Sequence, residues 1–440
     1  MSTNSKQKRT AAALAAMSEV FTRQQEMRTG NARLSELQAE AFARIQSAGL
    51  PGSWHEDWRY TSLTGFAERS AAYLGNDQLE ATADAIESLL EEVPLVNDAF
   101  RIVFTNGSFQ AGLSSLPPEG SDISISFLSQ NESLSDQLFA VNQDEQPLPA
   151  LNTAFITDGL VIEIPDNKHL QEALHIIYLS DGQPTGVQTR SSIRIGKNSH
   201  AKIIEHHISA GDALTNAVTR VICGDSSKLD FTRLQTESEG AIHFSNQAFN
   251  LHRGAQLNYV SVDDGAELAR KDLNVKIQGE GAHAGLSGLL MSSGKRHVDN
   301  HIQVDHLAPN TTSTENYRAI LGDSARGVFN GKIIVHPGAD GTDAQMSNRN
   351  LLLSDNAEIN TKPELEIYTD DVKCAHGSTT GQLDRNALFY LRARGLSQET
   401  ARKLLVGAFA QEIVDQLQST LPELVEYLTV KLHEQLNHDE

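Results

Sequence analysis

From about residue 150 the chain repeats itself. A polar turn, a small residue and an alternating strand recur at Lys197-Asn198-Ser199-His200-Ala201, Asp225-Ser226-Ser227-Lys228-Leu229 and Arg253-Gly254-Ala255-Gln256-Leu257. The unit returns at Glu280-Gly281-Ala282-His283-Ala284, Asp323-Ser324-Ala325-Arg326-Gly327 and Asp355-Asn356-Ala357-Glu358-Ile359. Measured on the small residue, the steps are 28, 28, 27, 43 and 32. A near-fixed period carried by strands describes a β-solenoid, in which each strand pairs with its equivalent one turn on and small residues fit the corners. An antiparallel sandwich also spaces short strands evenly, but the near-constant early steps favour the solenoid. The 43-residue step implies an inserted loop at residues 295–309.

The flanks have a different texture. Residues 10–48 are rich in Ala, Leu, Glu, Gln and Arg, with Leu34, Leu37, Ala41, Ala43 and Ile45 near helical spacing, until Gly49-Leu50-Pro51-Gly52 ends the helix. Lys6, Lys8 and Arg9 before Ala11–Met17 imitate a signal peptide, but the stretch is alanine-rich and runs on without a turn. It reads as helix, and the chain as cytoplasmic. Both tryptophans sit in Trp54-His55-Glu56-Asp57-Trp58-Arg59-Tyr60-Thr61, a loop pinned by aromatic anchors. Residues 78–92 read as a further helix, and 100–104 as a strand closed by Asn106-Gly107. The expected organisation is an N-terminal helical region (1–95), a mixed connection (96–150), a solenoid core (151–385) and a C-terminal helical region (386–440). An open solenoid end is an unpaired sheet edge, so the last turn requires a cap. The C-terminal helices supply one in sequence: Ser397 is an N-cap, followed by an apolar stripe through Ala401, Leu404, Leu405, Ala408, Phe409, Ile413 and Leu417.

Composition excludes several functions. Lys plus Arg number 36 against 57 Asp plus Glu, a net charge of −21 that repels nucleic acid and anionic membrane. The two cysteines, Cys223 and Cys374, form neither a disulfide framework nor a CxxC metal site. No apolar run reaches the length of a membrane span. Gly288–Lys295 is one residue too long between its glycines for a phosphate loop, with Arg296 where Ser or Thr is required, so the chain binds no nucleotide alone.

Three groups of residues invite chemistry. His297 and His301 with Asp299 and Asp305 could hold a metal on a loop, although a solvated polar loop explains them as well. The pairs Asp263-Asp264 and Asp370-Asp371 suit a carbohydrate lyase or hydrolase, but adjacent strand residues face opposite sides. Cys374-Ala375-His376 places a thiol and an imidazole on one strand face. Two ligands do not close a site, so any metal there needs donors from another chain; a buried cysteine beside a structural histidine is the plain alternative.

Residues 336–384 then narrow the choice. His336-Pro337-Gly338-Ala339, Asn348-Arg349-Asn350-Leu351-Leu352-Leu353-Ser354, Pro363-Glu364-Leu365-Glu366-Ile367 and Asp370-Asp371-Val372-Lys373-Cys374-Ala375-His376-Gly377 resemble the SufB/SufD family of iron–sulfur cluster assembly scaffolds. The likeness continues through Phe389-Tyr390-Leu391-Arg392-Ala393-Arg394-Gly395, and Glu56-Asp57-Trp58-Arg59-Tyr60-Thr61 resembles the N-terminal signature of the SufD branch. SufB-like chains carry a cysteine where this one has Leu391, and His-Glu where it has His376-Gly377, which places it with SufD and removes a sulfur acceptor.

The resemblance implies a mainly β fold, a right-handed parallel β-helix flanked by helical regions, and a non-enzymatic scaffold role. It implies pairing with a SufB-like chain and docking of a SufC-like ABC ATPase on the C-terminal helices, for which Leu404, Leu405, Phe409 and Ile413 are the candidates. Sulfur would arrive indirectly from a cysteine desulfurase, and a transient Fe–S cluster would be shared across the heterodimer, with His376 and, less surely, Cys374 as ligands. A homodimer in isolation stays open, as does a β-helix adaptor without a metal role.

Overall fold

The computed structural model describes residues 3–27, 32–75, 81–118, 121–139, 146–418 and 421–437. Four helices come first: α1 (Thr3–Met27), α2 (Ala32–Ala48), α3 (Thr64–Leu74) and α4 (Ala83–Glu92). The stretch read as one helix over 10–48 is therefore two, and part of the helix expected at 78–92 lies outside the described residues. After β1 (Ala99–Thr105), β2 (Ser108–Phe109) and β3 (Ser124–Phe127) come two short helices, α5 (Ser135–Phe139) and α6 (Pro147–Ala154). The coil continues through β4 (Asp158–Ile164), β5 (His169–Ser180), β6 (Thr185–Val187), β7 (Thr189–Ile195), β8 (His200–Ser209) and β9 (Ala213–Cys223). Next are β10 (Lys228–Gln235), β11 (Ile242–Leu251), β12 (Gln256–Asp263), β13 (Leu268–Ile277), β14 (His283–Ser292) and β15 (His297–His306). The last rungs are β16 (Thr312–Leu321), β17 (Arg326–Val335), β18 (Thr342–Leu352), β19 (Glu358–Ile367) and β20 (Val372–Gly381). Helices α7 (Arg385–Ala393), α8 (Gln398–Gln418) and α9 (Pro422–Asn437) follow.

Successive strands alternate between two sheets. Sheet A runs β2-β1-β5-β8-β10-β12-β14-β16-β18-β20 and sheet B runs β19-β17-β15-β13-β11-β9-β7-β4-β3, with all pairs parallel except β1–β2 and β3–β4. This is a parallel β-solenoid of about eight turns. Its first rung comes from β1, hydrogen-bonded in register to β5, and so lies within the 96–150 stretch read as a mixed connection.

The corners explain the period. Ser199, Ser227, Ala255, Ala282 and Ala325 are at most 1% exposed. Before the first four stand Asn198, Ser226, Gly254 and Gly281, all at φ between 52° and 70°, the left-handed region that Gly and Asn enter most easily. The inserted loop does not exist: residues 297–306 are strand β15, paired on both sides. The 43-residue step arises because Ala282 opens a sheet A strand whereas Ala325 opens a sheet B strand, one and a half turns on.

Inward positions stack into columns. One runs Leu229, Leu257, Ala284, Ser313, Ala344, Cys374; the next runs Phe231, Tyr259, Leu286, Glu315, Met346, His376. Outward faces are covered by helices. Met17, Phe21, Phe42 and Phe66 from the N-terminal helices pack on Leu214, Ile242 and Phe244 of sheet B. Val406, Ala410, Ile413, Leu417, Leu424 and Leu428 pack on Ile204, Leu234, Val262, Leu289 and Ile320 of sheet A. The C-terminal helices thus lie along the flank and do not cap the last turn. Their apolar residues match the apolar outward rows of sheet A, whereas the residues of β20 are mostly exposed and those of β19 half-exposed.

Candidate functional site

The uncapped end is where the two edge strands, β19 and β20, finish their sheets. Cys374 and His376 follow Ala344 and Met346 in register, so both lie in inward-facing rows at the mouth of the coil. His376 is exposed and Cys374 half-buried. Beside them the Ser378 hydroxyl donates to Asn348 Oδ1 at 3.1 Å and lies 3.2 Å from the Thr361 hydroxyl of β19, tying the two edges together. Burial pushes the Cys374 thiol up, and Asp343 adds to this against a backbone hydrogen bond from Ala344. Cys223 is fully buried with its thiol pushed up to about 12 by burial, an inert core residue. Among the described residues no three His, Cys, Asp or Glu side chains come together to hold a metal ion. The end presents one exposed imidazole and one half-buried thiol.

The other sequence candidates fall elsewhere. His297, Asp299 and His301 share one outward face of β15, but they serve a structural knot. Arg270 Nη1 donates to Asp299 at 2.9 Å and to the Asp57 carbonyl at 2.7 Å, while Nη2 donates to Asp272 at 2.8 Å. Trp58 stacks 3.8 Å from that guanidinium. Thr61 reaches both Asp299 and His297. The aromatic loop is thereby pinned to sheet B, where it roofs a cleft of about 550 Å³. The lysines of that cleft are paired, Lys332 with Glu366 and Lys362 with Glu56, both at 2.7 Å. Asp305 Oδ1 lies 2.8 Å from His336 Nε2.

The Asp263-Asp264 pair divides as strand geometry requires. Asp263 is sealed inside, where Lys271 Nζ lies at 2.8 Å and Arg233 donates to it. Burial alone would raise its pKa, but Lys271 and Arg233 outweigh burial and hold the carboxyl well below the usual range. Asp264 lies 3.6 Å from Arg296. Asp370 and Asp371 are exposed beside the open end. None of these pairs forms a catalytic dyad.

On α8 the Ser397 cap is formed, its hydroxyl accepting from Thr400 N–H at 3.0 Å. The buried stripe differs from the expected one: it comprises Ala401, Val406, Ala410, Ile413, Val414 and Leu417. Ile413, 1% exposed, is consumed by the chain's own core, which removes it from the docking candidates. Leu405 and Phe409 are half-buried, and Leu404 is 51% exposed. Phe389 and Tyr390 on α7, exposed at 73% and 57%, add apolar surface that sequence periodicity did not single out.

Two family models match adjoining parts of the chain: the SufBD protein N-terminal region over residues 15–176, and the SUF system FeS cluster assembly SufBD core domain over 177–409. The chain belongs to the SufBD family. An iron–sulfur cluster assembly SufBD family protein of Synechocystis is 32% identical over 390 residues, 85% of each chain. The iron–sulfur cluster assembly protein SufD of Escherichia coli is 30% identical, covering 85% of this chain and 87% of its own length. SufD of Bacillus subtilis is 23% identical over 87% of this chain. Within the SufBD family the likeness is to SufD, as the residues around His376 and Leu391 imply. Among the described residues no helix is long and apolar enough to cross a membrane.

Proposed function

We propose that the chain is a non-enzymatic scaffold subunit of a Suf-type assembly complex, and that His376 supplies one ligand to a nascent Fe–S cluster completed by a SufB-like sister chain. The observation that carries this reading is the exposed imidazole on an edge strand at the open end of the solenoid. Edge strands are templates for pairing with another chain, and a lone imidazole with a raised-pKa thiol requires donors from that chain. Fe–S clusters ordinarily take about four protein ligands. Cys374 is the neighbouring donor of lower rank, being half-buried where His376 is exposed. The exposed face of α7 and α8, with Phe389, Tyr390 and Leu404, suits the ATPase subunit. In this arrangement the solenoid holds the cargo rigidly while the partner handles ATP.

The test is His376→Ala in the chain co-assembled with its sister and ATPase subunits. The complex should purify intact, with bound iron and sulfide falling at least tenfold; unchanged loading would falsify the ligand role. Cys374→Ala should retain most of the cargo.

A further inference from the structure

We propose that Arg318 and Glu412 form the mechanical link between helix α8 and the open end, with Arg349 as the charge that makes the link a switch. This rests on the preceding reading that a partner acts on α8 and that cargo sits at β20.

Arg318 projects outward from β16 and is 4% exposed. Its guanidinium donates to the Phe409 carbonyl and to the Glu412 carboxylate of α8, and lies 5.1 Å from the Phe409 ring centroid. Asn316, two residues earlier on the same face, donates to Glu412 at 2.7 Å. One strand thus grips one turn of helix through two side chains. That strand stands two rungs from the edge: β16 pairs with β18, and β18 with β20.

The row that carries Arg318 continues as Arg349 on β18 and Thr379 on β20. Neighbouring parallel strands lie about 4.8 Å apart, so the two arginines occupy one row on adjacent rungs, Arg318 buried under α8 and Arg349 exposed. Burial most disfavours the charge on Arg318, Glu412 favours it, and Arg349 adds a smaller opposition. While α8 is seated, the carboxylate offsets the like-charge contact. When α8 is drawn outward, Glu412 leaves with it and the two cations face each other across the penultimate ladder. That repulsion loosens β18 and the strand beyond it, which bears His376. Arg318 is in this sense a positioning residue, since it touches no cargo itself. The apolar seam of Ile413, Val414 and Leu417 keeps α8 attached without the ion pair.

Hydrogen exchange on the full chain tests the switch without any partner. Glu412→Gln should raise amide exchange across β18 and β20 at least fivefold, and adding Arg349→Met should return it to within twofold of wild type. Faster exchange confined to α8, or exchange in β20 that Arg349→Met fails to reverse, would overturn the proposal. In the assembled complex, Arg318→Met should leave ATPase docking and ATP hydrolysis within twofold, while clusters formed per ATP fall at least tenfold. The Arg318→Glu, Glu412→Arg pair should restore much of that yield. Unchanged yield, or yield lost only in proportion to ATP hydrolysis, sinks the coupling role. A His376→Ala complex run alongside reports separately on the ligand reading.

Discussion

Inside sheet A the column that ends at His376 contains Glu315, buried and, among the described residues, with no hydrogen-bond partner for either carboxyl oxygen. Burial raises its pKa from 4.5 to about 8. Below pH 4.5 the folded and unfolded states both hold the proton, and the group contributes nothing to the pH dependence of stability. Between 4.5 and 8 the unfolded chain releases it while the fold retains it, so stability falls by up to about 1.4 kcal/mol per pH unit and then levels off. Glu315→Gln lacks this loss. Its stability relative to wild type should climb from pH 5 to 8 in urea unfolding; parallel curves would refute the assignment. Arg270 makes the opposite kind of buried site, fully partnered. Arg270→Met strands Asp272 and Asp299 and should cost about 3–5 kcal/mol. Arg270→Lys should cost less, yet still register, because an ammonium cannot fork to Asp272. Neither site was legible in the sequence. Alternation assigns Glu315 and Asp263 to an inward row, but not the company they keep there. That Cys374 and His376 share one face of a strand was legible because only their two-residue spacing was needed.

Helix α8 shows where periodicity loses its grip. It carries more apolar residues than one face can hold, so the stripe through Leu404 and Ala408 and the stripe through Val406 and Ala410 fit the sequence equally well. Only the apolar outward rows of sheet A choose between them, and those rows are tertiary information. The choice has measurable consequences. Ile413→Ala should destabilise the chain by about 2–5 kcal/mol through the cavity it leaves. Leu404→Ala should change unfolding by no more than about 0.5 kcal/mol, while weakening capture of the ATPase subunit. Equal effects on stability would show that the buried face has been misplaced. Strand β15 teaches the complementary lesson. A corner looks the same in sequence whichever sheet it opens onto, so a jump from one corner series to the other imitates an insertion.

For the whole molecule, the period near 28 residues revealed the architecture because a solenoid repeats its local rules at every turn. The destination of the C-terminal helices stayed hidden, since flank and end demand the same amphipathic pattern. The uneven cover that results predicts a gradient. Amides of β10, β12 and β14, paired on both sides, should exchange far more slowly than those of β19 and β20, each bonded on one side only. Uniform protection along the axis would contradict the exposed terminus. The bare terminus also bears on stoichiometry. If the proposed sister chain completes the final ladder, this subunit is left with a bare edge whenever that chain is scarce. Made alone, it should elute above its 48.0 kDa mass in a concentration-dependent manner, because surplus copies satisfy one another's bare backbone; the cell therefore has a physical reason to produce the two in equal number.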